Sequence, residues 1–129
     1  MPFAIVHEPD FARVVLSGHL TAQDVIAAAK LLDTCRTAAG ATPHRLVDIT
    51  AVENLDVSFS EMYSFSSTRR GAVFSNPVKT AIVAATTVQF GLARMFSLLN
   101  AQPQTEVAVF RDAKSALEWI GSDNVGQVI

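Results

Sequence analysis

The chain is 129 residues long, half of them apolar and 17% charged, with a formal net charge of −2 and a pI near 5.8. That length fits one domain around one core, and that composition belongs to a folded chain, not a disordered one. Its ten Lys and Arg residues, scattered except for Arg69-Arg70, gather no phosphate backbone, so nucleic acid is excluded from the expected partners.

Residues 3–7 and 11–17 are short runs rich in Val and Ile, separated by Glu8-Pro9-Asp10, and they predict two strands joined by a tight turn. In the second run Ala12, Val14 and Leu16 share the core face, while Arg13 and Ser17 share the other. Thr21 stands three residues before Asp24 as an N-cap with an acidic partner. The Ala- and Leu-rich stretch it opens predicts a helix running to Ala39, with Gly40 as its stop. The sheet-facing stripe of that helix is Val25, Ala28, Leu32 and Cys35, and Lys30, Asp33 and Arg36 lie off it. Cys35, the one cysteine, has no neighbouring His in its stretch and reads as a small buried hydrophobe in a reducing compartment.

Residues 44–49, 78–85 and 105–110 predict three more strands, each followed by a helical pattern, over 58–70, 88–99 and 112–120, with stops at Gly71, Asn100 and Gly121. Val88, Leu92, Met95, Phe96 and Leu99 form one expected core stripe, and Ala113, Ala116, Leu117 and Ile120 another. The order ββαβαβαβα implies an antiparallel hairpin followed by parallel strands with crossover helices. A flavodoxin-like start, which needs a βαβ unit first, does not fit.

The N-terminus lacks a basic region and a long apolar run, and no apolar run anywhere, residues 81–85 included, exceeds five residues. Neither secretion nor membrane insertion is expected, and a cytoplasmic location is. His7, His19 and His44 fall at no metal-ligand spacing, and no Gly-rich phosphate loop or nucleophile elbow occurs. The expectation is therefore no metal, no cofactor and no enzyme.

The element order, together with Phe90-Gly-Leu-Ala-Arg-Met-Phe96, Glu106-Val-Ala-Val-Phe-Arg-Asp112 and Ala116-Leu-Glu-Trp-Ile120, resembles the STAS domain (the sulfate-transporter and anti-sigma-antagonist fold) and its bacterial SpoIIAA-like branch. The resemblance spans residues 3–121. It implies an α/β fold, a small mixed five-stranded sheet with an N-terminal antiparallel hairpin covered by four helices, as a single domain over residues 1–121 with a loose tail at 122–129. It also implies a non-catalytic regulatory or protein-interaction module that binds a protein partner or itself as a homodimer. The alternative it implies is a binder of a small apolar or lipid-like ligand, since that branch is described alongside lipid-binding relatives.

Anti-anti-sigma factors of this fold carry an Asp-Ser-Ser-Gly turn with a phosphorylated serine. Here Asp56 matches the aspartate, Val57 takes the acceptor's place, Ser58 matches the second serine and Phe59 replaces the glycine. The usual phosphoswitch is therefore expected to be absent. Ser58-Phe-Ser-Glu61 reads first as a capping box. Phe59, Met62, Tyr63 and Phe65 wrap more than one helix face, so at least one large apolar side chain is expected at the surface or in a groove, where a partner or apolar ligand binds. Arg94, off the core stripe, is a candidate for a partner's carboxylate, an ordinary surface ion pair being the commoner use of such a residue. The expected binding residues are thus Asp56, Ser58, Phe59, Met62, Tyr63, Phe65 and Arg94.

Overall fold

The computed structural model describes residues 2–38, 40–70, 76–99 and 105–122. The expected stops at Gly71 and Asn100 and a tail at 123–129 lie outside the described residues, as do the side chains of Arg69, Arg70, Met95 and Leu99.

The elements are β1 (Phe3–His7), β2 (Phe11–Thr21), α1 (Ala22–Leu32), β3 (His44–Asp56), α2 (Phe59–Arg70), β4 (Val78–Val83), α3 (Thr87–Leu99), β5 (Thr105–Phe110) and α4 (Ala113–Gly121). The sheet order is β1-β2-β3-β4-β5, with β1 antiparallel to β2 and every later neighbour parallel. The predicted element order and fold class hold. The hairpin closes through Glu8 N–H donating to the Phe11 carbonyl at 2.9 Å, across the expected Pro9-Asp10 turn.

Each parallel connection steps to the adjacent strand in the same direction. Right-handed crossovers then put α1, α2 and α3 on one face of the sheet, and α4, which follows the last strand, is left to cover the other. Side-chain parity agrees. Ala12, Val14 and Leu16 of β2 are buried with Ala28, Leu32 and Cys35 on the first face, and Leu46, Ala81 and Val83 are buried with Ala116 and Ile120 of α4 on the second. β4, flanked by β3 and β5, is buried along its whole length.

The cap of α1 is as read. Thr21 Oγ1 accepts from Asp24 N–H at 3.3 Å, and Asp24 Oδ2 accepts from Thr21 N–H at 2.9 Å. Its end is not. The helix stops at Leu32, seven residues before Ala39, because the last turn tightens: Thr34 and Cys35 N–H donate to the Leu31 and Leu32 carbonyls, and Thr34 Oγ1 donates to the Leu31 carbonyl at 2.6 Å. Gly40, with φ of +83°, closes a later turn instead, its N–H donating to the Thr37 carbonyl. α4 opens on Asp112, whose carboxylate accepts from Ser115 N–H at 2.7 Å, and that bond holds its pKa below the ordinary carboxylate value.

β2 and β3 are longer than the apolar runs predict. β4 pairs only with Arg45–Asp48 of β3, whereas β2 follows β3 on to Asp56. The two therefore leave the sheet as a two-stranded ribbon, with register shifts around Ser17 and Gly18. Gly18 has φ of +68°, the left-handed backbone that a bulge of this kind asks for and that glycine takes without strain.

Candidate functional site

A cavity of about 640 Å³ lies between the first sheet face and the three helices over it. Its floor is Val14 and Leu16 of β2, Val47 and Ile49 of β3 and Ile82 of β4. α1 contributes Ala28 and Leu32 to the walls, and α3 contributes Leu92, Ala93 and Phe96. Among the described residues α2 packs principally against α3 and α1, and it spans the cavity as its roof through Met62 and Phe65. The Phe65 and Phe96 rings meet there with centroids 5.7 Å apart.

The two ends of the cavity differ in charge. At the end nearest the start of the parallel strands stand Arg45, Thr80 and Thr105, all buried, with Arg45 directly across from Thr80 in the β3–β4 register. Arg45 Nη2 is 3.5 Å from Asp33 Oδ1, and the Arg45 side chain is 5% exposed against 42% for Asp33. Asp33 is the residue that caps the C-terminus of α1. At the other end the ribbon brings Thr50, Val52 and exposed Glu53, and the start of α3 brings Thr86, Val88 and Gln89. Val88 is 71% exposed, so it borders the mouth instead of joining the core as its stripe predicts, and buried Gln89 and Ala93 take the inward positions.

Gln89 holds that mouth in shape. Its Oε1 accepts from Ala85 and Thr86 N–H at 2.9 and 3.1 Å, and its Nε2 donates to the Val52 carbonyl at 2.9 Å and the Thr50 carbonyl at 3.4 Å. One buried amide thus ties the ribbon to the first turn of α3, with all its polar atoms engaged. α2 is fixed at its start by the predicted capping box, Glu61 N–H donating to Ser58 Oγ at 3.1 Å and Ser58 N–H to Glu61 Oε1 at 2.9 Å. Ser58→Ala is expected to lower stability by about 1 kcal/mol in urea denaturation, the usual cost of a lost N-cap.

A family model described as SpoIIAA-like matches residues 11–121. The chain belongs to the SpoIIAA-like family. SpoIIAA-like domains are typically regulatory or interaction domains and are generally not enzymes. Among solved structures, an uncharacterised protein from Shewanella loihica PV-4 with a SpoIIAA-like fold superposes with a TM-score of 0.58 at 22% identity, covering 92% of this chain and 91% of that one. That likeness shows the fold. None of the curated proteins matches. No helix among the described residues is long and apolar enough to cross a membrane.

On this SpoIIAA-like frame the predicted site residues divide. Met62 and Phe65 line the cavity, while Phe59 and Tyr63 stand on the outside of α2, 63% and 49% exposed, with ring centroids 6.4 Å apart. The expected surplus of apolar side chains on that helix is therefore real. Asp56 ends β3, its carboxylate 4.0 Å from His19 Nε2, and Arg94 is exposed on α3. Neither lines the cavity.

Cys35 is buried as read, yet it does have a histidine beside it: His7 Nε2 lies 3.3 Å from Sγ, brought from 28 residues away by the β1–β2 hairpin. His44 Nδ1 accepts from Lys79 N–H at 2.9 Å, so the three histidines serve separate places. No metal-binding group of His, Cys, Asp and Glu forms among the described residues. The residues missed at the sequence level are Arg45 and Gln89. Arg45 carried a visible signal, since a charge at the same parity as Val47 and Ile49 is a charge on the core face.

Proposed function

We propose that this domain is a non-catalytic binding module whose ligand is a small apolar, lipid-like molecule held between the sheet and α2. The observation that supports it is the 640 Å³ apolar cavity, a volume within the range of small-molecule sites. Close-packed interiors contain few voids larger than a water molecule.

The regulatory part of the reading belongs to α2. Its inner side chains, Met62 and Phe65, meet the ligand, and its outer ones, Phe59 and Tyr63, offer an exposed aromatic pair to a protein partner or a second copy. Asp56 and Ser58, just before α2, and Arg94, exposed on α3, are the further candidate contacts in this reading. A ligand that changes how α2 sits thereby changes what the partner meets.

Native mass spectrometry of the protein purified from cells, with thermal shift against alkanols, fatty acids and sterols, tests the ligand reading. We expect a co-purifying mass or a rise in Tm of roughly 10 °C at 100-fold excess over Kd. No bound mass and no shift with any of the three classes would remove it.

A further inference from the structure

We propose that the outer edge of β1 is a self-association surface, where the β1 strands of two copies pair antiparallel about Ile5 and join two five-stranded sheets into one. This surface is separate from the cavity and from the exposed rings of α2. β1 is an edge strand with β2 as its one neighbour in the sheet. Its orientation follows from two bonds, Ser17 N–H to the Pro2 carbonyl and Glu8 N–H to the Phe11 carbonyl. The backbone groups of Pro2, Ala4, Val6 and Glu8 thus face β2, and by alternation the N–H and C=O groups of Phe3, Ile5 and His7 point away from the sheet. Among the described residues no backbone bond reaches that outer edge.

β1 lacks the devices that keep edge strands apart. Phe-Ala-Ile-Val-His has no Lys, Asp, Glu or Pro, and its register with β2 runs unbroken from Phe3–Leu16 to His7–Ala12. The opposite edge strand, β5, carries exposed Glu106. A second copy fits β1 because the strand is its own complement. With Ile5 against Ile5, the pairs Phe3–His7, Ile5–Ile5 and His7–Phe3 of the two copies each exchange both N–H···O bonds. Like charges are nowhere opposed, since His7, protonated or not, faces Phe3. Phe3 and Ile5 pack into the core beneath α1, so Ala4 and Val6 project from the other face of the sheet. There α4 packs on β3, β4 and β5, and Ala4 and Val6 are exposed, Val6 by 47%. In the pair each Ala4 lies across from the other copy's Val6 and covers it. On the first face α1 lies over β1 and β2, and exposed Ile26 and Leu31 fall on opposite flanks of its buried stripe, so one of them borders the β1 edge. A two-fold axis closes the contact, which makes the product a dimer and not a fibre.

Sedimentation velocity across a concentration series should show wild type passing from monomer to dimer with a Kd on the order of 100 μM or tighter, a transient contact of small area. Ala4→Lys with Val6→Lys sets like charges across the two-fold and should raise that Kd at least about tenfold, whereas Ala4→Lys with Val6→Glu sets opposite charges across it and should keep wild-type affinity or better. Both positions are exposed, and thermal melts check that both variants fold. Residue-resolved amide exchange on wild type needs no variant: above the Kd the amides of Phe3, Ile5 and His7 should slow by about tenfold, while those of Ala4 and Val6, already bonded to β2, should not respond. Wild type that stays monomeric at millimolar concentration overturns the proposal. So does a dimer that both double variants form equally well, or one that protects no β1 amide and is lost in Tyr63→Glu, which would place self-association on α2.

Discussion

Leu46→Ala is expected to lower the free energy of unfolding by about 3 kcal/mol, seen as a lower urea midpoint at unchanged m value. Leu46 is fully buried and is among the largest side chains so enclosed. It lies under α4 in the smaller of the two cores, with Ala81, Val83, Ala116 and Ile120 about it. α4 has nine residues, too few to be helical by itself, so its helicity depends on that apolar seat. With a whole-domain stability on the order of 5–15 kcal/mol, the loss is large. A change under 1 kcal/mol would mean that α4 is not docked as described.

Val47→Phe is expected to do the opposite of what a core overpacking mutation does. In a filled interior the added ring would cost about 1–3 kcal/mol. Val47 instead lies in the middle of the cavity floor, partly buried, with open volume above it. The ring should fill that volume and bury its own apolar surface, leaving Tm unchanged or higher. Binding of 1-dodecanol should fall by roughly 100-fold, about 2.7 kcal/mol, since chain and ring compete for one space. Calorimetry on the variant, with and without ligand, reads both quantities. A lower Tm together with undiminished binding would show that the space above Val47 is not where the ligand lies.

Much of the fold was readable from near neighbours in the chain. The Ala12, Val14, Leu16 alternation, the Thr21 and Ser58 capping boxes and the alternation of strands and helices each depend on residues within about one turn of one another. Where the reading went astray, a distant partner had intervened. α1 ends at Leu32, and the chain beyond it places Cys35 beside His7 and Asp33 beside Arg45. β3 continues to Asp56 because β2 bulges at Gly18 to accompany it, though residues 50–56 are too polar to read as strand. Val88 follows the helical stripe faithfully and still faces outward, because the stripe says which side chains align and not how far the sheet extends beneath them.

The candidate site shows the same division. That α2 carries more large apolar side chains than one face can bury was legible in Phe59, Met62, Tyr63 and Phe65 alone. What the surplus is for was not, since that depends on whether the helix sits down on the sheet or stands off it. By itself the sequence determined the order of the elements and the family, both matters of residue type and short-range spacing. Only the tertiary structure decided that three same-handed crossovers raise α2 over a cavity and that Arg45 closes one end of it, because cavity and charge arise where strands and helices far apart in sequence fail to meet.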